Sequence, residues 1–270
     1  LSVLSDLVDK RPGFSSILPL PPTISPLTVE SLIVTFKKPL ISFKDADILN
    51  GEAIVIYGFD ADIYPGDFVY IVGKVGTGKT SIIRTIIAEN DLEKGYGSAC
   101  GFELNGISEK QIPYLRRKMG VVFQDFQLLM DRSVEDNLRF VLKATGWKNE
   151  EDMNKRILEV LLAVGMERKS HKMPHQLSGG EQQRIAIARS LLNDPEVIIA
   201  DEPTGNLDNE TADGILRLLT KINIEKGTAI VMVTHNRQIF EKYPGRVMVC
   251  KEERCFEQRP DEIIDLELTI

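Results

Sequence analysis

Three runs of consecutive apolar residues stand out along the chain, each ending on a glycine or a polar stop. They are "FVYIV" before Gly73, "VIIA" before Asp201, and "AIVMV" before Thr234 and His235. Unbroken apolar runs, as opposed to alternating ones, predict strands covered on both faces, as in a parallel sheet. Between them, apolar positions recur at three- and four-residue steps, the period of a helix. The stretches concerned are "KTSIIRTIIAEN" (79–90), "SVEDNLRFVLKAT" (133–145), "MNKRILEVLLAVG" (153–165) and "ETADGILRLLTKINIEKG" (210–227). A β-rich start precedes all of this, in "SLIVTF" (31–36), "LISF" (40–43) and "EAIVIYGFDADI" (52–63).

The alternation predicts an α/β fold, a mostly parallel sheet covered by helices, with an N-terminal β-subdomain. The helical block at about 125–178 interrupts the alternation and reads as an inserted α-helical subdomain. Residues 1–28, rich in proline and serine and without a period, read as a flexible extension to a domain over 29–255. The acidic end, "DEIIDLELTI", makes 256–270 a tail.

Composition narrows the function classes. The 270 residues carry 33 basic and 40 acidic side chains, a net charge of −7. That balance disfavours a nucleic-acid binder, whose affinity rests on phosphate neutralisation by Lys and Arg, but leaves room for a local nucleotide site. The three cysteines, Cys100, Cys250 and Cys255, lack the spacing of a zinc site and read as buried thiols. No apolar run approaches the roughly 20 residues of a membrane helix.

Candidate chemistry sits where the predicted strands stop. Gly73-Lys74-Val75-Gly76-Thr77-Gly78-Lys79-Thr80 fits G-x-x-x-x-G-K-[ST], placed between a predicted strand and a predicted helix that continues through Ser81. In such a loop, backbone N–H groups converge on a phosphate, the lysine reaches the terminal phosphates and the threonine hydroxyl holds Mg²⁺. Asp201 follows "VIIA" where it can bind the Mg²⁺ shell, and Glu202 is left to polarise an attacking water. His235 ends the third strand and is predicted to lie near the same phosphates. A second anion-binding helix start lies at "LSGGEQQR" (177–184), where Ser178, Gly179 and Gly180 precede a helix.

Taken in order, the phosphate loop, Gln124 in "VVFQDF", "LSGGEQQR", "VIIADEP", "GNLD" (205–208) and His235 resemble the ATP-binding-cassette (ABC) ATPases over about residues 40–250. The resemblance implies a P-loop fold, ATP hydrolysis with Mg²⁺ held by Thr80, Gln124 and Asp201, and catalysis by Glu202, His235 and Lys79. It also implies a homodimer in which Ser178, Gly179, Gly180 and Glu181 of one copy cap the ATP of the other. Asp208 would lie at that interface. Counting back from Lys79 places the family's adenine-stacking aromatic at Leu49, so this chain departs from the pattern and reduced adenine selectivity is expected. Tyr57 is out of register for that role.

Residues 112–138, with "LLMDR" followed by "VEDN", resemble the cell-division branch of the family. That branch implies an FtsX-like transmembrane partner docking near Gln124 and the helical subdomain. It also implies a peripheral position on the cytoplasmic side of the bacterial inner membrane. Two other readings stand beside it: the ATPase of a lipoprotein-release or macrolide-type exporter, and a soluble ATP-dependent clamp on nucleic acid or the ribosome. The clamp class usually carries two cassettes or a long coiled-coil insertion, and neither is present.

Overall fold

The computed structural model describes residues 38–258. The predicted strand at 31–36, the extension at 1–28 and most of the acidic tail lie outside the described residues.

The larger sheet has six strands in the order β10-β9-β3-β8-β7-β6. Its five parallel members are β3 (Phe68–Gly73), β6 (Met119–Val122), β7 (Val197–Asp201), β8 (Ala229–Val233) and β9 (Arg246–Lys251). β10 (Arg254–Glu257) folds back antiparallel on β9. Both faces of the sheet's inner strands are covered, which is why β3, β7 and β8 are apolar along almost their whole length. Tyr70, Val72, Ile198, Ala200, Ile230 and Met232 pack into one core. Their alternates Val69, Ile71, Ile199, Val231 and Val233 pack into the other. Each Val, Ile or Met among them contributes about 1.5–3 kcal/mol by leaving water.

The first core lies under α3 (Val134–Ala144), α4 (Glu150–Val164), α5 (Gly179–Ser190) and α6 (Asn209–Lys226). The second joins α1 (Lys79–Ile86) to an antiparallel sheet of order β2-β1-β4-β5. Its strands are β1 (Ile41–Asn50), β2 (Ala53–Ile63), β4 (Tyr96–Ala99) and β5 (Phe102–Glu103). The expected helical insertion is present: Ser133 caps α3 by accepting from the Asp136 N–H, and Asn149 caps α4.

Several elements and boundaries differ from expectation, among them the following. α1 stops at Ile86, not Asn90, because Ala88 turns to φ 53° and the Asn90 side chain bonds the Leu49 carbonyl at 2.7 Å. α2 (Ile112–Arg117) was not anticipated; it buries only Leu115, too little for a period to show. The ordered domain also runs past residue 255, since Phe256 and Glu257 pair with Val249 and Met248. The three cysteines are free and buried, as expected, and Cys250 faces Cys255 across the β9–β10 ladder.

Gly73 ends β3 where the chain leaves the sheet against β9. A β-carbon there would lie 2.4 Å from the Cys250 carbonyl oxygen and 2.8 Å from Thr77 Oγ1. Gly73→Ala is therefore expected to cost about 1–3 kcal/mol by overpacking and to lower the thermal midpoint by several degrees, read by calorimetry.

Candidate active site

Parallel pairing aligns the strand ends. Asp201 lies opposite Val233, and Val233 opposite Ile71, so the loop after β3 and the residues after β7 and β8 share one edge. At the head of α1, Gly78 has φ 88° and its α-carbon faces Ile56 and Val55 of β2 so closely that a β-carbon would sit 3.0 Å from Ile56. Glycine is needed on both counts. No side chain caps α1, so its first N–H groups are left for an external acceptor.

Lys79 is buried, with 8% of its surface exposed, and its Nζ donates to the carbonyls of Gly73 at 2.8 Å and Lys74 at 2.7 Å. The ammonium therefore crosses the hollow of its own loop. Burial pushes its pKa down, against the pull of Glu202 and Asp201. Thr77 closes the loop by donating from its hydroxyl to the Lys74 carbonyl, Val75 projects outward, and Ser81 is buried in α1.

The Thr80 hydroxyl lies close enough to Asp201 to favour its carboxylate form. Burial raises the Asp201 pKa, the Thr80 hydroxyl lowers it, and neighbouring Glu202 raises it again. Glu202 stands in the left-handed region at φ 47°, its N–H donating to the Val233 carbonyl at 3.0 Å. A non-glycine residue held there is strained and has to be fixed by its surroundings. His235 Nδ1 lies 2.7 Å from Glu202 Oε1. A carboxylate accepts, so that nitrogen carries the proton when Glu202 is ionised.

Gln124 departs from the expected grouping. Its side-chain amide donates to Asn206 Oδ1 at 3.0 Å, and its carbonyl accepts from Asn206 Nδ2 at 3.2 Å. Its bonded partner is thus the 205–208 loop and not the Thr80–Asp201 pair. Asn206 escaped the sequence reading because nothing local in "GNLD" signals a bond across 82 positions. Leu49 sits in β1 opposite Ile54, half-buried, near the β2 residues that touch Gly78. Tyr57 lies half-exposed on β2, its N–H bonded to Glu253.

The signature helix α5 is capped from within. Ser178 Oγ accepts from the Glu181 N–H, and Glu181 accepts from the Ser178 N–H at 3.0 Å and also binds Lys169. Glu181 is thereby committed inside its own chain, and Lys169 first and then Ser178 hold its pKa below the usual range. Gly179 and Gly180 neighbour Leu207 and Thr211, residues outside the phosphate loop. Asp208 is exposed and caps α6 by accepting from the Thr211 N–H at 3.0 Å.

The ABC transporter family profile matches residues 56–205 of this chain. The chain belongs to the ABC transporter ATPase family. Among curated relatives, the cell division ATP-binding protein FtsE of Streptococcus pneumoniae serotype 2 (strain D39) is 45% identical over 205 residues, 76% of this chain and 88% of that protein. The protein of the same name in Bacillus subtilis is 46% identical over 195 residues, 72% and 85% of the two chains. A solved dimer of the ATP-binding cassette MJ0796, in a post-hydrolysis state bound to ADP and phosphate, superposes with a TM-score of 0.71 at 31% identity. It covers 83% of this chain and 100% of its own. The cassette is an ATPase of the P-loop α/β class.

Because Asp201 binds its proton more tightly folded than unfolded, its ionisation costs stability as pH rises through the carboxylate range. Asp201→Asn removes that cost. It is expected to raise the thermal midpoint at neutral pH, with the gain shrinking as pH falls towards 3.8, while ATP hydrolysis collapses.

Proposed function

We propose that this cassette is the ATP-hydrolysing subunit of an FtsEX-like complex, coupling ATP-driven dimer closure to a transmembrane partner that controls cell-wall hydrolysis during division. The observation that carries the chemistry is the convergence of Lys79, the Thr80–Asp201 pair and the Glu202–His235 pair at one edge of the sheet. The likeness to FtsE over most of the chain carries the biological assignment.

In this reading the loop 73–80 and Ser81 bind the triphosphate, with Lys79 turning from its own carbonyls to the β- and γ-phosphates. Thr80 and Asp201 offer a hydroxyl and a carboxylate close together, an oxygen set that suits Mg²⁺, and Gln124 would complete it by swinging its side chain off Asn206 towards them. Bound Mg²⁺ supplies neutralisation of the charge on the phosphates. Glu202 has one carboxylate oxygen held by His235 and the other free to accept from the attacking water. His235 keeps Glu202 oriented beside the γ-phosphate.

Two copies close head to tail, so that Ser178, Gly179 and Gly180 of one reach the ATP of the other. Glu181 serves that contact by holding the cap, and Asp208 faces the partner copy. The dimeric state of MJ0796 supports this arrangement. ATP shifts the pair towards closure because it touches both faces only there.

The transmembrane partner docks near Gln124 and the helical subdomain; a groove of about 320 Å³ between α2, β6, α3 and α5, lined by Arg116, Arg117, Val141 and Thr145 among others but not by Gln124, supports the helical-subdomain side of this. Tyr114 and Phe140, on the flanking helices α2 and α3, are exposed. On this reading the subunit sits peripherally on the cytoplasmic side of the inner membrane; among the described residues no helix is long and apolar enough to cross a membrane.

Extraction of the tagged chain from its native membranes in mild detergent is expected to recover a four-helix membrane protein with an extracytoplasmic domain. A larger permease would move the function to export, and recovery with ribosomes would overturn the membrane assignment. Glu202→Gln is expected to lower kcat about a hundredfold or more and to accumulate an ATP-bound dimer on gel filtration. Leu49→Tyr is expected to tighten ATP binding about tenfold, the size of one base–aromatic stack, and to change the ATP-to-GTP ratio. Unchanged nucleotide affinities would remove Leu49 from the base site.

A further inference from the structure

Arg189 sits in the last turn of α5, the helix that begins with the signature, and lines the groove described above. Its guanidinium reaches away from α5 to the segment just after Gln124. One amino group donates to the Phe126 carbonyl at 2.9 Å and the other to the Gln127 carbonyl. Those two residues hold left-handed backbone at φ 61° and 47°. Neither is a glycine, and side chains of L-residues adopt that region at a cost which neighbouring contacts have to offset. A rigid fork with two donors aimed at two adjacent carbonyls is suited to that task in a way a lysine is not. The loop is also held from its other side, since Phe126 approaches Gly179 at the start of the same helix. Gln124, two residues before Phe126, makes its paired bonds with Asn206 from this constrained segment.

We propose that Arg189 is a positioning residue for hydrolysis, holding Phe126 and Gln127 in their left-handed turn and thereby setting the place of the Gln124 side chain. The inference rests on the ATPase reading of the site and adds a residue outside the phosphate-binding motifs. Arg189 acts through Gln124 and touches neither nucleotide nor water itself. Its loss therefore acts on the rate and not on the loading of ATP, and it adds nothing once Gln124 is gone.

The test is a kinetic double-mutant cycle on the purified full chain, with steady-state kcat and KM for ATP measured for wild type, Gln124→Ala, Arg189→Ala and the double variant. Arg189→Ala is expected to lower kcat about tenfold with KM changed less than about twofold. The double variant should turn over no more slowly than Gln124→Ala alone, the signature of residues acting as one unit. Effects that multiply, a raised KM with kcat kept, or a Gln124→Ala variant as fast as wild type would each overturn the proposal. Should thermal melting show that Arg189→Ala does not fold, Arg189→Lys replaces it in the same cycle. Lysine keeps the stem and charge but cannot serve both carbonyls in a fork, so an intermediate kcat that merges with Gln124→Ala is expected. A wild-type chain without ATPase activity would overturn the reading of the site itself, and the proposal with it.

Discussion

Ile71 of β3 lies opposite Val233 of β8, and Val233 lies opposite Asp201 of β7. That register, held by two dry cores on either face of the sheet, brings three chain segments far apart in sequence to a common edge. The phosphate loop leaves from β3, the Asp201–Glu202 pair from β7 and His235 from β8. A slip of one residue in a strand buried on both sides would exchange its two core faces and break the packing of both. The polar groups at the edge are expensive to hold there. Lys79 is buried, Asp201 is pushed towards its neutral form, and Glu202 is kept in left-handed backbone. The sheet tolerates these costs because its cores are large, which is the usual relation between a stable scaffold and a strained site.

The second anion-binding helix start has a different physical logic. Ser178 and Glu181 satisfy each other, and Lys169 holds Glu181 from the end of the helical subdomain, so the first turn of α5 is rigid without any ligand. Its glycines neighbour Leu207 and Thr211, not the phosphate loop that shares its chain. A preorganised helix start that does not serve its own phosphate loop is suited to serve that of a second copy. The same helix carries Arg189 at its far end, so one rigid rod spans from the signature to the segment after Gln124.

Much of this was legible in the sequence, for local reasons. The apolar runs before Gly73, Asp201 and His235 announced strands covered on both sides, and the phosphate loop and "LSGGE" carry their chemistry in consecutive residues. What escaped was long-range or weakly patterned. The Gln124–Asn206 bond joins positions 82 apart and the reach of Arg189 to Phe126 and Gln127 joins positions 63 and 62 apart, and no periodicity encodes them. Helix α2 buries a single residue and so has no stripe to read. The early end of α1 comes from a left-handed Ala88, a residue type that propensity alone would keep in the helix. Phe256 and Glu257 looked like the start of a charged tail because their pairing with β9 depends on a turn at two glutamates, Glu252 and Glu253, both at positive φ.

In the proposed dimer a working site is shared between two copies, the phosphate loop from one and the signature from the other. Subunit mixing separates that arrangement from two self-contained sites. Lys79→Ala removes the phosphate-loop lysine and Gly179→Asp sets a like charge against the incoming phosphate, so each variant alone should hydrolyse no ATP. A mixed dimer would hold one composite site with both halves intact, so combining the two inactive proteins should restore ATPase activity. If every ratio of the two remains inactive while each still folds and dimerises, the site is not shared in this way.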